Sequence, residues 1–171
     1  VKNWCISIIF IFLSLFYITS YAGKLILKSP AFSANTVIPK QYTCEGTDVS
    51  PPLYWQDPPK KTKSFVLIVD DIDAPTGNWV HWILFNIPAN VGLFSEAAAL
   101  PKGAVSAQNS WGKTGYRGPC PPSGKHHYFF RLFALDSVLK LSSKVSKQEL
   151  MKVMRGHVLE TSELIGVYSK E

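Results

Sequence analysis

Three of the four histidines and a run of carboxylates stand where apolar stretches begin or end. Asp71 and Asp73 follow the apolar run 64–69, in Asp71-Ile72-Asp73-Ala74-Pro75. His81 opens a second apolar stretch, in Trp79-Val80-His81-Trp82. His126, His127 and Tyr128 open a third, directly after Gly118-Pro119-Cys120-Pro121-Pro122-Ser123-Gly124. If those stretches are neighbouring strands, their ends converge on one pocket of imidazoles, carboxylates and a phenol. An imidazole whose second nitrogen bonds a carboxylate is held in one tautomer, and its protonated form is favoured. Such a group donates to an anion, and Gly- and Pro-rich backbone adds N–H donors in a nest-like turn. With Trp79, Trp82 and Tyr128 as walls, the reading is a small pocket for a phosphate or carboxylate head group. The bland alternative is that Asp71 and Asp73 cap a turn and His81 is a satisfied core histidine.

Other chemistries fit less well. His81, His126 and the two aspartates are acceptable metal ligands, but no H-x-x-x-H or H-E-x-x-H spacing arranges them, so no metal is expected. Ser123 lacks the G-x-S-x-G setting of a hydrolase nucleophile. Gly112-Lys113-Thr114 resembles the end of a phosphate-binding loop, yet Ala107 occupies the position of its first glycine. No cofactor motif appears. The net charge of +6 comes from scattered lysines with no basic run, which gives no case for nucleic-acid binding.

The elements that must position these residues are mostly strands. The chain has 171 residues, 46% hydrophobic and 18% charged, consistent with one folded domain. Twelve prolines and eleven glycines disfavour a helix bundle. Strands are predicted at 24–28, 64–69, 80–87 and 128–135. The segment 89–125 lacks periodicity, and a loop of that length is usually functional or pinned by other elements. Ser146-Lys147-Gln148-Glu149 is a capping box, and Leu150, Met154, Val158 and Thr161 follow at helical spacing. They predict a helix over 147–163, with a closing strand at 164–168. The fold class expected is mainly β (α+β): an antiparallel sandwich with peripheral helices.

The N-terminus reads as an address. Lys2 is the sole charge before Lys24, residues 4–21 are almost continuously apolar, and Ser20-Tyr21-Ala22 gives a small-x-small cleavage pattern. Residues 1–22 are predicted to be a cleaved signal peptide, the alternative being an uncleaved membrane anchor. Residues 23–171 would then be one exported domain, periplasmic or secreted. It holds two cysteines, and in an oxidising compartment a Cys44–Cys120 disulfide is plausible; two buried free thiols are the alternative.

Taken together, these segments resemble the phosphatidylethanolamine-binding protein family, in particular its bacterial Raf-kinase-inhibitor-like branch (YbhB/YbcL type). The matching residues are Tyr42-Thr43-Cys44-Glu45-Gly46, Ser50-Pro51-Pro52-Leu53, Asp71-x-Asp73-Ala74-Pro75 and Trp79-x-His81-Trp82 with Asn86-Ile87-Pro88. Asn109-Ser110-Trp111-Gly112, Gly118 to Gly124, and His126-His127-Tyr128 complete the set. The resemblance implies a Greek-key β-sandwich with a pocket for phosphate or phosphoethanolamine-like head groups. By motif match, Asp71, Asp73, His81, His126 and Tyr128 are its pocket residues, and Gly118, Pro119 and Pro121 line its rim. His127 departs from the eukaryotic motif, which has Arg there, so a bidentate guanidinium contact is not carried over. The expected function is non-enzymatic binding of a small anion or phospholipid head group, with possible peripheral membrane contact. The alternatives are an inhibitor or interaction protein whose partner is a protease or kinase and, third, a hydrolase.

Overall fold

The computed structural model describes residues 23–170. The predicted signal segment 1–22 lies outside the described residues. Among those described, no helix is long and apolar enough to cross a membrane.

Two sheets form the body. The smaller has three strands in the order β1 (Ile26–Lys28), β3 (Leu53–Gln56), β6 (Leu93–Phe94), and the larger has six in the order β2 (Thr36–Val37), β9 (Val158–Ser169), β8 (Lys125–Leu135), β4 (Ser64–Asp71), β5 (Trp79–Pro88), β7 (Val105–Ser106). Its centre is β4 (Ser64–Asp71), flanked by β5 (Trp79–Pro88) and β8 (Lys125–Leu135), both antiparallel to it. Every residue of β4 is buried, which explains its unbroken apolar run: a strand covered on both faces has no polar side to alternate with. On one face Phe65, Leu67 and Val69 meet Leu27 of β1 (Ile26–Lys28), Leu53 and Trp55 of β3 (Leu53–Gln56) and Phe94 of β6 (Leu93–Phe94). On the other, Val66 and Ile68 join Ile83, Phe85, Phe133 and Leu150 under a single helix. Each such side chain removed from water contributes roughly 1.5–3 kcal/mol, which is what holds the three layers together.

The outer strands differ from the sequence reading. The helix α1 is Lys147–Met154 only, and β9 (Val158–Ser169) takes the rest of the segment predicted helical. Ser146 caps α1 as expected, its Oγ accepting the Glu149 N–H at 3.1 Å. Gly156 and His157 then break the helix, and β9 pairs with β8 along the whole length of both. The helical spacing of Val158 and Thr161 was coincidental: Leu150 and Met154 are buried, while Val158 is exposed. A full set of ladder hydrogen bonds outweighed a weak periodicity. Short strands β2 (Thr36–Val37) and β7 (Val105–Ser106) close the edges of the large sheet.

Candidate functional site

The site is built where β8, β4 and β5 end together. Tyr128, Asp71 and Trp79 are register partners across these strands, so their side chains share the face toward the small sheet. His81 reaches that face through an irregularity. Val69 pairs with Trp82 but Asp70 pairs with Val80, so β5 carries one residue more than β4 at this point. Plain alternation would have turned His81 to the helix side with Asp70. A bulge re-aims a side chain in just this way. His81 consequently packs edge-on against Tyr128, with ring centroids 5.2 Å apart, and against Trp111 at 5.0 Å.

A pocket of about 340 Å³ opens here. Asp71 and His81 line it together with the indoles of Trp79 and Trp111, with Pro75, Cys120 and Pro122 among the remaining wall. The two indoles meet edge to face at 5.3 Å. His126 stands behind Asp71: its Nδ1 donates to Asp71 Oδ2 at 2.7 Å, and both side chains are buried. Asp71 Oδ1 accepts the Asp73 N–H at 2.9 Å, which starts the turn leading to Pro75. His81 Nδ1 donates to the Arg117 carbonyl at 2.7 Å. Its proton is thereby placed away from Nε2, leaving Nε2 as the ring's unprotonated nitrogen. Burial holds this imidazole below the ordinary histidine range, against the opposing pull of the Arg117 carbonyl and the Asp71 charge. Tyr128 is fully buried and its hydroxyl has no partner in hydrogen-bonding geometry. Burial, with the nearby Asp71 charge second, pushes that phenol far above its usual range, so it remains a donor.

Five expected residues take other positions. Asp73 turns to His127, accepting the backbone N–H at 2.8 Å and Nδ1 at 2.6 Å on one oxygen. The His127 ring contact is the main reason that Asp73 sits below the usual carboxylate range. Trp82 packs against Phe94 and Tyr116 in the core and does not wall this pocket. Pro119 and Pro121 are buried, while Cys120 and Pro122 between and after them face the pocket. An extended chain alternates its sides, so the motif lined the pocket with its other half. Gly118 lies beneath, because a Cβ there would stand 2.2 Å from the Tyr42 carbonyl oxygen. Trp111 was quoted in a motif but given no role; its type and its place in a long aperiodic segment were the available signal.

The Cys44–Cys120 disulfide is formed, joining residues 76 apart in sequence, and both cysteines are exposed rather than buried. Among the described residues no group of three or more His, Cys, Asp or Glu is arranged to hold a metal ion.

The family model of the phosphatidylethanolamine-binding proteins matches residues 28–169. The chain belongs to that family. It is 50% identical over 148 residues to a UPF0098 protein of Methanothermobacter thermautotrophicus, covering 84% of this chain and 98% of that one. A UPF0098 protein of Chlamydia trachomatis is 44% identical over 150 residues, 85% of this chain and 99% of its own. The fold agrees as well. The crystal structure of a phosphatidylethanolamine-binding protein homologue from Chlamydia trachomatis superposes with a TM-score of 0.83 at 43% identity, over 86% of this chain and 99% of that one. Escherichia coli YbcL, described as a member of the mammalian family, gives 0.81 at 31% identity over 87% and 100%.

Proposed function

We propose that this family member is a non-enzymatic binding protein whose pocket takes the head group of a phosphoryl compound, phosphate or phosphoethanolamine-like. The observation that carries the reading is one pocket lined by Asp71, His81 and two indoles at the converging ends of β4 and β5. The charges favour a zwitterion over a bare anion. Asp71 repels a phosphate dianion but attracts an ammonium, and the face of Trp79 suits a cation as well, while Trp111 already carries the Arg117 guanidinium at 5.7 Å. The phosphoryl oxygens then sit at His81 Nε2, which either takes up a proton to donate to them or accepts from a protonated phosphate. His126 acts through Asp71 as a positioning residue. The apolar start and the disulfide support an exported location, since such bonds persist in oxidising compartments; cell fractionation that found the protein only in the cytosol would overturn that part.

Calorimetry of the purified protein with O-phosphoethanolamine and with inorganic phosphate tests the pocket. O-phosphoethanolamine is expected to bind about tenfold tighter, the equivalent of one added charge-assisted contact. His126→Ala should weaken both by a smaller factor while leaving the far-UV spectrum unchanged. Absence of heat and of competition by either compound at millimolar concentration would refute the reading.

A further inference from the structure

The wall of the pocket contains a bond that a reductant can open. Cys120 lines the cavity, and its disulfide partner Cys44 belongs to a second segment running from Tyr42 to Asp48. That segment and the stretch from Tyr116 to Pro122 are also tied by three hydrogen bonds. Tyr116 Oη donates to the Tyr42 carbonyl at 2.8 Å, Gly118 N to Asp48 Oδ1 at 2.6 Å, and Cys44 N to the Pro119 carbonyl at 3.1 Å. The same stretch positions the pocket's imidazole from its other side. His81 Nδ1 donates to the Arg117 carbonyl, and Arg117 N donates back to the His81 carbonyl at 3.2 Å. The disulfide is thus the one covalent tie in a clamp that sets both the Cys120–Pro122 wall and the His81 ring, and both of its residues are open to solvent.

We infer that Cys44–Cys120 is a thiol-exchange site that sets the affinity of the pocket; the inference rests on the head-group reading above. The co-reactant is a dithiol. Its thiolate attacks one of the two sulfurs, forming a mixed disulfide and releasing the other cysteine as a thiolate, which is then protonated. The dithiol's second thiolate attacks its own sulfur in the mixed disulfide, closing the dithiol to a cyclic disulfide and freeing the remaining cysteine. The dithiol is oxidised by two electrons, and Cys44 and Cys120 together are reduced by two. Buried structural disulfides resist this exchange; an exposed one is accessible to it. Once the bond is open, the two segments keep only non-covalent ties, the three hydrogen bonds among them, and the wall stretch keeps its pair of hydrogen bonds to His81.

The test compares oxidised protein, protein reduced with dithiothreitol, and the Cys44→Ser/Cys120→Ser double variant. O-phosphoethanolamine affinity is read by calorimetry and amide exchange at Cys44 and Gly118 by mass spectrometry. Opening the clamp is expected to weaken binding about tenfold, a change of one decade in Kd, with recovery on reoxidation. Exchange at both amides should quicken while the far-UV spectrum holds. Equal affinity in the three samples overturns the inference. If the oxidised protein binds nothing, the head-group reading fails, and exchange alone decides the clamp: unchanged protection at Cys44 and Gly118 on reduction overturns it.

Discussion

Asp70 and Asp71 are adjacent in the chain and face opposite sides of the sheet, so replacing each by Asn should produce opposite phenotypes. Asp70 is 0% exposed. Its Oδ1 accepts from Arg131 Nη1 at 2.6 Å, and its Oδ2 accepts from Asn78 Nδ2 at 2.5 Å and from Lys147 Nζ. Lys147 opens α1, where a cation works against the helix dipole; its contact with Asp70 explains its presence. In Asp70→Asn an amide donor replaces one acceptor oxygen, Lys147 loses the carboxylate it pairs with, and Arg131 keeps only Glu163. Breaking a buried pair costs about 3–5 kcal/mol. Arg131 and Lys147 retain 25% exposure and regain some water, so roughly 3 kcal/mol is the working figure here. For a domain of this size that lowers Tm by about 6–12 °C. Head-group affinity should stay within about twofold, because Asp70 lies on the far face of the sheet. Asp71→Asn weakens one charge-assisted contact, from His126, worth about 1.5–3 kcal/mol in full, and should lose most binding. Thermal melts paired with calorimetry decide the matter. A Tm of Asp70→Asn within 2 °C of the parent, about the effect of a single kcal/mol, or a binding loss matching that of Asp71→Asn, would refute the two-faced assignment.

Acid should act through His81 first. Its value is depressed in the folded state, so the neutral ring contributes stability that is present above the unfolded pKa of about 6.5 and is lost as pH falls below it. Asp73, also depressed, adds a loss in the same direction nearer pH 4; a denaturant midpoint that holds constant from pH 8 to 5 would contradict the His81 part. A bound phosphoryl group beside Nε2 should draw a proton onto His81, up to about one per ligand near neutrality. Binding enthalpies measured in buffers of different ionisation heat would then differ, and identical values would exclude proton uptake. Gly118→Ala places a methyl 2.2 Å from the Tyr42 carbonyl oxygen and 2.8 Å from Asp48 Oδ1. Because backbone cannot yield there, we expect a loss of about 1–3 kcal/mol in urea melts, together with weaker head-group binding. A neutral outcome would mean that the two segments are less tightly joined than their contacts imply.

What could be read in the sequence was what depends on local pattern. The β4 run, the Phe-rich strand over 128–135 and the Ser146 cap each follow from a few neighbouring residues, and each stands where it was expected. The Asp71, His81, His126 and Tyr128 cluster was legible because all four sit at strand ends that the topology brings side by side. What escaped depends on partners distant in the chain. Nothing local distinguishes Asp73, which binds His127, from Asp71, which binds His126. Residues 158–163 have a weak helical period, and only the availability of β8 as a partner makes them strand. Which of Pro119, Cys120, Pro121 and Pro122 face the cavity depends on the side from which residues 42–48 grip that stretch.

The extra residue in β5 is the point at which fold and site become one problem. With it, Val80 continues the apolar layer under α1 beside Asp70, Trp82 and Leu84 continue the layer between the sheets, and His81 is left over. A left-over residue in a ladder is unpaired by the neighbouring strand, and here the imidazole, at 2% exposure, packs instead against the Tyr128 and Trp111 rings. Its polar needs are met by the Arg117 backbone instead of by a strand. Deleting one residue from the Val80-His81 step would restore plain pairing and keep a sheet. Trp79 would keep Asp71 as its partner, and the imidazole alone would leave the cavity, either deleted outright or turned toward α1 opposite Asp70. The bulge therefore supplies the cavity with its imidazole, while Trp79 holds its place by ordinary pairing with Asp71.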